Sequence, residues 1–328
     1  MTRAPWVFWN ASERRLRAGW RILIQVAAFL TLVVAWDASA PGPRDLLPDF
    51  VAERVPHALM LVTSLIAIRL LDRTSLRSAG LAATRATWSD LRGGMVCGAA
   101  AAGACVAIGV LSGALRLSVP AFIVEHESRA IDVGFAAAAL VAVSEEAWFR
   151  AYLQRNVADG LRGLLGERGA VFTAIAVISA VFAALHLPAG DTPALAVVNL
   201  GLGGAALGWM YAGTRRLAAP VGFHFAWNAV LGPICGAPVS GRAPQGSFGK
   251  IEVLGSDLWT GGSYGPEGGM LATLVLCVLI AYVLYRWPSR ALAAAGGCTR
   301  AGDVGAPDGS APSTPRPNDA GMEATSER

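Results

Sequence analysis

Charge is scarce in this chain. Asp, Glu, Lys and Arg make up 15% of the 328 residues, where a soluble domain carries about 25%. So few polar groups cannot coat a globular surface, so lipid has to face much of the molecule. Lysine is nearly missing: the 27 basic residues are arginine except Lys250. They flank apolar runs and form no continuous patch with aromatics between them, which excludes a nucleic-acid surface. Cysteine is limited to Cys97, Cys105, Cys235, Cys277 and Cys298, with no CxxC. The cysteines therefore read as small hydrophobes rather than a redox pair. No HExxH occurs, so no local zinc signature is present. There is also no repeat of fixed period and no visible inverted duplication. The segment 1–21 is too long and polar to open a cleaved signal peptide. It reads as a cytoplasmic interfacial segment anchored by Trp6, Phe8, Trp9 and Trp20.

Apolar sequence is plentiful, at 54%. A bilayer span needs about 20 mostly apolar residues. Eight candidates run near Ile22–Trp36, Val55–Leu71, Gly94–Leu115, Val133–Leu153, Ala170–Leu187, Pro193–Ala212, Ala218–Cys235 and Gly269–Tyr285. The expected fold class is an all-α polytopic bundle of about eight transmembrane helices. Many of the 38 glycines lie inside these runs; Gly98, Gly103, Gly201, Gly204 and Gly208 are expected to let helices approach closely. Seventeen arginines fall on one side of such a bundle. The other side holds six basic residues: Arg44, Arg54, Arg116, Arg129, Arg242 and Lys250. The positive-inside bias then puts both termini in the cytoplasm and the protein in the cell inner membrane. The chain divides into a cytoplasmic segment (1–21), accessory helices and an interfacial segment (22–130), a core with ionisable residues inside its spans (131–236), an outer loop with the last helix (237–294) and a disordered tail (295–328). Ser118–Ala130 is expected along the outer surface, and 236–268 as a long Gly-rich loop.

An ionisable group inside the bilayer costs several kcal/mol, from about 2.5 upward, unless paired or wetted, and marks a functional site by default. Three places qualify. The fourth span holds Ser144-Glu145-Glu146-Ala147-Trp148-Phe149-Arg150. Glu146 and Arg150, four apart, share a helix face and can pair. Glu145 points elsewhere without an internal partner and is the chemical carboxylate, braced by Glu146–Arg150. The fifth span ends in Phe182 and His186, again four apart, and the seventh carries His224 and Asn228 at the same spacing. A carboxylate, two imidazoles and an amide on three spans can build a hydrolytic site. Glu145 can deprotonate a water held near a histidine, and Asn228 with a histidine can donate to an oxyanion. Alternatively Glu145, His186 and His224 supply a zinc site with an open position. Taken with these span limits, the depths conflict: Glu145 lies past mid-span toward the cytoplasm, whereas His186 lies near the outer end of the next span. Span four would have to begin further out, or span five start deep or tilt.

In that order, Glu-Glu-x-x-x-Arg, Phe-x-x-x-His and His-x-x-x-Asn resemble the CAAX protease and bacteriocin-processing family of membrane endopeptidases. The resemblance covers about Val133 to Cys235. It implies a glutamate- or metallo-type intramembrane peptidase. Glu145 and His186 would activate water, His224 and Asn228 would steady the transition state or join a metal site, and Glu146, Arg150 and Phe182 would support them. Metal is left open between none and one zinc ion. The implied partners are a membrane-associated peptide or protein substrate and the lipid bilayer. Two other readings use the same residues. One is a non-catalytic scaffold or bacteriocin-immunity protein on this fold. The other is an ion or proton transporter, which would also use Asp37 and Asn199.

Overall fold

The computed structural model describes residues 5–119, 125–187 and 192–286. Among these, eight helices of ten residues or more follow one another: α1 Ala18–Asp37, α2 Val55–Leu70, α3 Arg85–Leu111, α4 Glu125–Glu146, α5 Arg155–Ala184, α6 Ala194–Thr214, α7 Ala218–Ala229 and α8 Met270–Arg286. A π-helical stretch, Ala147–Gln154, joins α4 to α5, and a second, Val230–Ile234, extends α7. Two minor antiparallel ribbons accompany them: β1 Trp9–Asn10 with β2 Arg15–Leu16, and β3 Leu115–Ser118 with β4 Lys250–Val253. The tail 295–328 and most of the expected surface segment before residue 125 lie outside the described residues. From Glu125 that segment is already helix α4.

Five apolar stretches are long enough to cross a membrane: Ala18–Asp37, Asp49–Leu70, Arg85–Leu111, Ser128–Ala184 and Ala194–Thr214. The polarity of the fold agrees with this. Leu23, Val34, Leu70, Val96, Phe172 and Val278 point outward, while Arg21, Glu146, Arg150 and Asn156 are buried. Lipid is the solvent that suits such a surface, and the chain is an all-α, multi-pass membrane protein.

The 57-residue stretch Ser128–Ala184 would measure about 85 Å if straight, far beyond a hydrocarbon core of about 30 Å. It reverses at Gly166, whose φ of 66° and ψ of 178° are non-helical. Only glycine adopts such angles without steric cost. The two limbs then pack antiparallel, in register about this turn. Phe149, seventeen residues before it, stacks edge-on against Phe182, sixteen after it, with centroids 5.1 Å apart; on a straight helix they would be about 50 Å apart. The same register sets Glu145 opposite His186. The depth conflict in the sequence came from two misplaced ends: α4 starts at Glu125, not Val133, and the helix passes Leu153 to reach Gly166.

α3 and α7 touch backbone to backbone. A Cβ at Gly94 would lie 2.1 Å from the Ala219 carbonyl oxygen, one at Gly98 2.3 Å from that of Phe223, and one at Gly222 2.3 Å from that of Leu91. Gly204 and Gly208 likewise fit against Ser179 and Gln154, but a Cβ at Gly103 or Gly201 would meet nothing within 4 Å, so neither serves a close approach. This glycine seam fixes α7, and with it His224.

At the Gly166 end, buried Arg21 pairs with Asp72 at 2.7 Å and with Asp159. Tyr152 donates to the Arg21 carbonyl at 2.6 Å, and Asn156 to Asp72 at 3.2 Å. Burial lifts the Asp72 carboxyl above the usual carboxylate range, against the pull of Arg21 and Arg155. The opposite end gathers the starts of α2, α6 and α8 and the ends of α3, α5 and α7. The loop after α7 folds back there instead of running free: Phe248 and Gly249 donate their backbone N–H groups to the Pro233 and Ile234 carbonyls at 2.8 and 2.9 Å.

Candidate active site

Every side chain of the π-helical stretch Ala147–Gln154 is buried. Its wider winding is rare, and π-bulges are frequent at functional sites. Trp148 donates to Gln25 Oε1 at 2.8 Å on α1. Arg150 and Gln154 donate to the Gly204 and Gly208 carbonyls of α6 at 3.2 and 3.0 Å. Residues four apart thus grip the same neighbouring helix, which locks the end of α4 and its two carboxylates.

Glu146 is fully buried. Its Oε2 lies 3.1 Å from Arg150 Nε, the ion pair expected from the sequence. Its Oε1 accepts from His224 Nδ1 at 2.9 Å. A carboxylate on Nδ1 fixes the imidazole's orientation. The other nitrogen, Nε2, is thereby turned toward Glu145, 3.9 Å from Oε2. The Arg150 guanidinium also covers the Phe182 ring at 5.1 Å. Phe182 in turn packs on His186, with centroids 4.7 Å apart, and meets His224 edge-on at 6.5 Å. His186 Nδ1 donates to the Phe182 carbonyl at 2.7 Å.

Glu145, His186, His224 and Asn228 line one cavity of about 380 Å³ between α2, α4, α5, α7 and the loop after α7. Glu146, Arg150 and Phe182 stand behind it. Glu145 is not without a partner, as the sequence suggested. His57 Nε2 of α2 lies 3.7 Å from its Oε1, so the carboxylate sits between two imidazoles. His57 went unnoticed because a single histidine at the start of an apolar run has no spacing signature.

The loop 236–268 also contributes. Buried Glu267 accepts from Trp227 Nε1 at 2.7 Å and from the backbone and hydroxyl of Ser240. Asn199 donates to the Glu267 and Gly269 carbonyls at 2.8 and 3.0 Å and accepts from Thr273 at 2.7 Å. Asn199 is therefore a helix fastener, and Asp37 is an exposed partner of Arg44 at 3.2 Å. Burial, with Glu267 close by, pushes the Tyr264 phenol up to about 12, so it stays neutral at physiological pH. Glu267→Ala should orphan two or three buried donors at roughly 1–3 kcal/mol each. A fall of several degrees in the unfolding midpoint in detergent would register this; an unchanged midpoint would remove Glu267 from the loop's anchorage.

Among the described residues, no three His, Cys, Asp or Glu side chains are disposed to hold a metal ion. Glu145, His186 and His224 share one cavity, and both histidines donate Nδ1 to protein acceptors, which leaves each Nε2 available to other partners.

Taken together, these features define a membrane-embedded protein with a buried Glu/His site. Residues 128–230 match the family model described as Type II CAAX prenyl endopeptidase Rce1-like, and that segment is a domain of this family, which implies a peptidase. The match spans just under a third of the chain and includes all three motifs. No curated protein and no solved structure matches the chain.

Proposed function

We propose that the protein is an intramembrane endopeptidase that hydrolyses peptide bonds of membrane-associated substrates with water activated by Glu145. The observation that carries this reading is the convergence of Glu145, His57, His186, His224 and Asn228 on one cavity. At 3.7 and 3.9 Å the two imidazoles stand just beyond direct hydrogen bonds to the carboxylate, and a water can bind alongside all three groups from the cavity. Glu145 takes one proton from the water, with His186 orienting it, and the oxygen attacks the scissile carbonyl. His224, held by Glu146, and Asn228 donate to the oxyanion. The C–N bond then breaks, and Glu145 returns the proton to the leaving amine. No step passes through a metal. The unit 131–236 is the catalytic core, and the accessory helices before it add His57.

In the same reading all eight helices, including the 17-residue α8, cross the inner membrane, with both termini cytoplasmic by the arginine bias. The cavity, which lies at the end away from Gly166, then opens on the outer side. The partners are a membrane-associated peptide or protein and the bilayer, not nucleic acid.

Comparing membrane-protein termini in cells making the wild type or His224→Ala would test the function. Termini present only with the wild type are expected. Identical sets would leave a non-catalytic scaffold as the better reading. His57→Ala should lower kcat by about tenfold or more and shift the acid limb of the pH–rate profile, since one neighbour of the base is removed. An unaltered profile would relegate His57 to packing.

A further inference from the structure

At the end of the bundle where the cavity opens, basic residues are few and half are occupied. Arg44 pairs with Asp37 at 3.2 Å, and Arg116 with Glu252 at 3.0 Å. Arg129 is also engaged, and Lys250 lies on β4, away from the cavity. Arg54 and Arg242 differ on both counts. Both line the cavity that holds Glu145, and neither has an ion pair among the described residues. Arg54 Nε is buried without a hydrogen-bond partner, and its chain neighbour Glu53 is exposed and forms no ion pair with it. The two guanidiniums line one cavity together, although the charge of Glu53 acts on Arg54 more strongly than that of Arg242. Like charges brought together beside a cavity, with a donor left unsatisfied, are stabilised by an anion between them. Guanidinium forks match a carboxylate geometrically.

We propose that Arg54 and Arg242 form a carboxylate-binding subsite at the mouth of the catalytic cavity, which selects peptides carrying an acidic group close to the bond to be cut. This rests on the peptidase reading. The carboxylate is either the peptide's C-terminus or an Asp or Glu side chain. Arg54 precedes α2, which carries His57 one turn on, so a peptide held there lies against the groups that flank Glu145. Neither arginine belongs to the matched segment 128–230, so the preference is a property of the accessory helix and the outer loop.

The test uses the full-length protein in phosphatidylcholine vesicles and four fluorescent membrane-anchored peptides. They end in a free carboxylate or a carboxamide, each with an internal Glu or Gln. Binding is measured in the Glu145→Gln background, so that cleavage is not required. At least one acidic form should bind roughly tenfold more tightly than its neutral counterpart, and that ratio should collapse toward one in Arg54→Gln, Arg242→Gln and the double variant. The pair of peptides that shows the ratio identifies the C-terminus or the side chain. Equal binding of acidic and neutral peptides overturns the subsite. So does an acidic preference that survives the double variant. Equal peptide binding, with an arginine-dependent response to added phosphatidylglycerol, would reassign the pair to a lipid headgroup and overturn it too. The peptidase reading fails separately: arginine-dependent binding without cleavage by the wild-type protein sinks the enzyme and leaves the subsite standing.

Discussion

Glu145→Gln is expected to lower the cleavage rate by about 10²–10⁴-fold, the usual contribution of a positioned base, while the protein keeps its fold. Glutamine preserves the shape of the side chain and one carbonyl oxygen for His57 but cannot take a proton from water. The adjacent change Glu146→Gln should behave differently. Glu146 contacts no cavity in the structure; it holds Arg150 at 3.1 Å and His224 at 2.9 Å. Its replacement should therefore cost stability as well as rate. The pair of variants, compared by cleavage of a membrane-anchored reporter and by thermal unfolding in detergent, separates chemistry from support. A Glu145→Gln protein that cuts at the wild-type rate would remove the hydrolytic mechanism altogether.

Arg150→Met is expected to be the most destabilising single change in the site, by about 3–5 kcal/mol, because it leaves the buried Glu146 carboxylate without its arginine counter-ion and with His224 as its one remaining partner. Arg150 is 1% exposed and Glu146 0%, so water cannot take over the lost partner. The substitution also removes the hydrogen bond to Gly204 and the guanidinium that covers Phe182. The double variant Glu146→Gln/Arg150→Met should recover much of the stability, since no unpaired charge remains, yet stay inactive because His224 has lost its charged acceptor. Thermal midpoints of the two variants decide this. An Arg150→Met protein that melts with the wild type would show the pair to be energetically idle.

Most of the bundle could be read from the chain because lipid imposes a simple length rule. Eight apolar runs became eight helices, their ends shifted by a few residues in most cases. The brace Glu146–Arg150 was legible because a spacing of four is a local signal, and the pairs Phe182/His186 and His224/Asn228 were legible for the same reason. What escaped is non-local or conformational. His57 meets Glu145 across 88 positions of sequence, and nothing about a lone imidazole announces such a meeting. The π-helical winding of Ala147–Gln154 leaves no compositional trace. Glu267 sits in a Gly-rich stretch that reads as an open loop, yet its carboxylate fastens Ser240 to Trp227. Gly166 is one glycine among several between Gly160 and Gly169, and only its φ reveals it as the turn.

That turn acts as a ruler with two arms. Because the limbs fold back on a single pivot, the distance counted out to Glu145 on one must equal the distance counted back to His186 on the other. Losing one residue from either arm would slide its outer part by about 1.5 Å and swing it by about 100°, carrying the acid or the imidazole off the shared wall. Insertions and deletions between positions 146 and 186 should therefore be tolerated only as matched changes of about two whole helical turns, roughly seven residues on each arm.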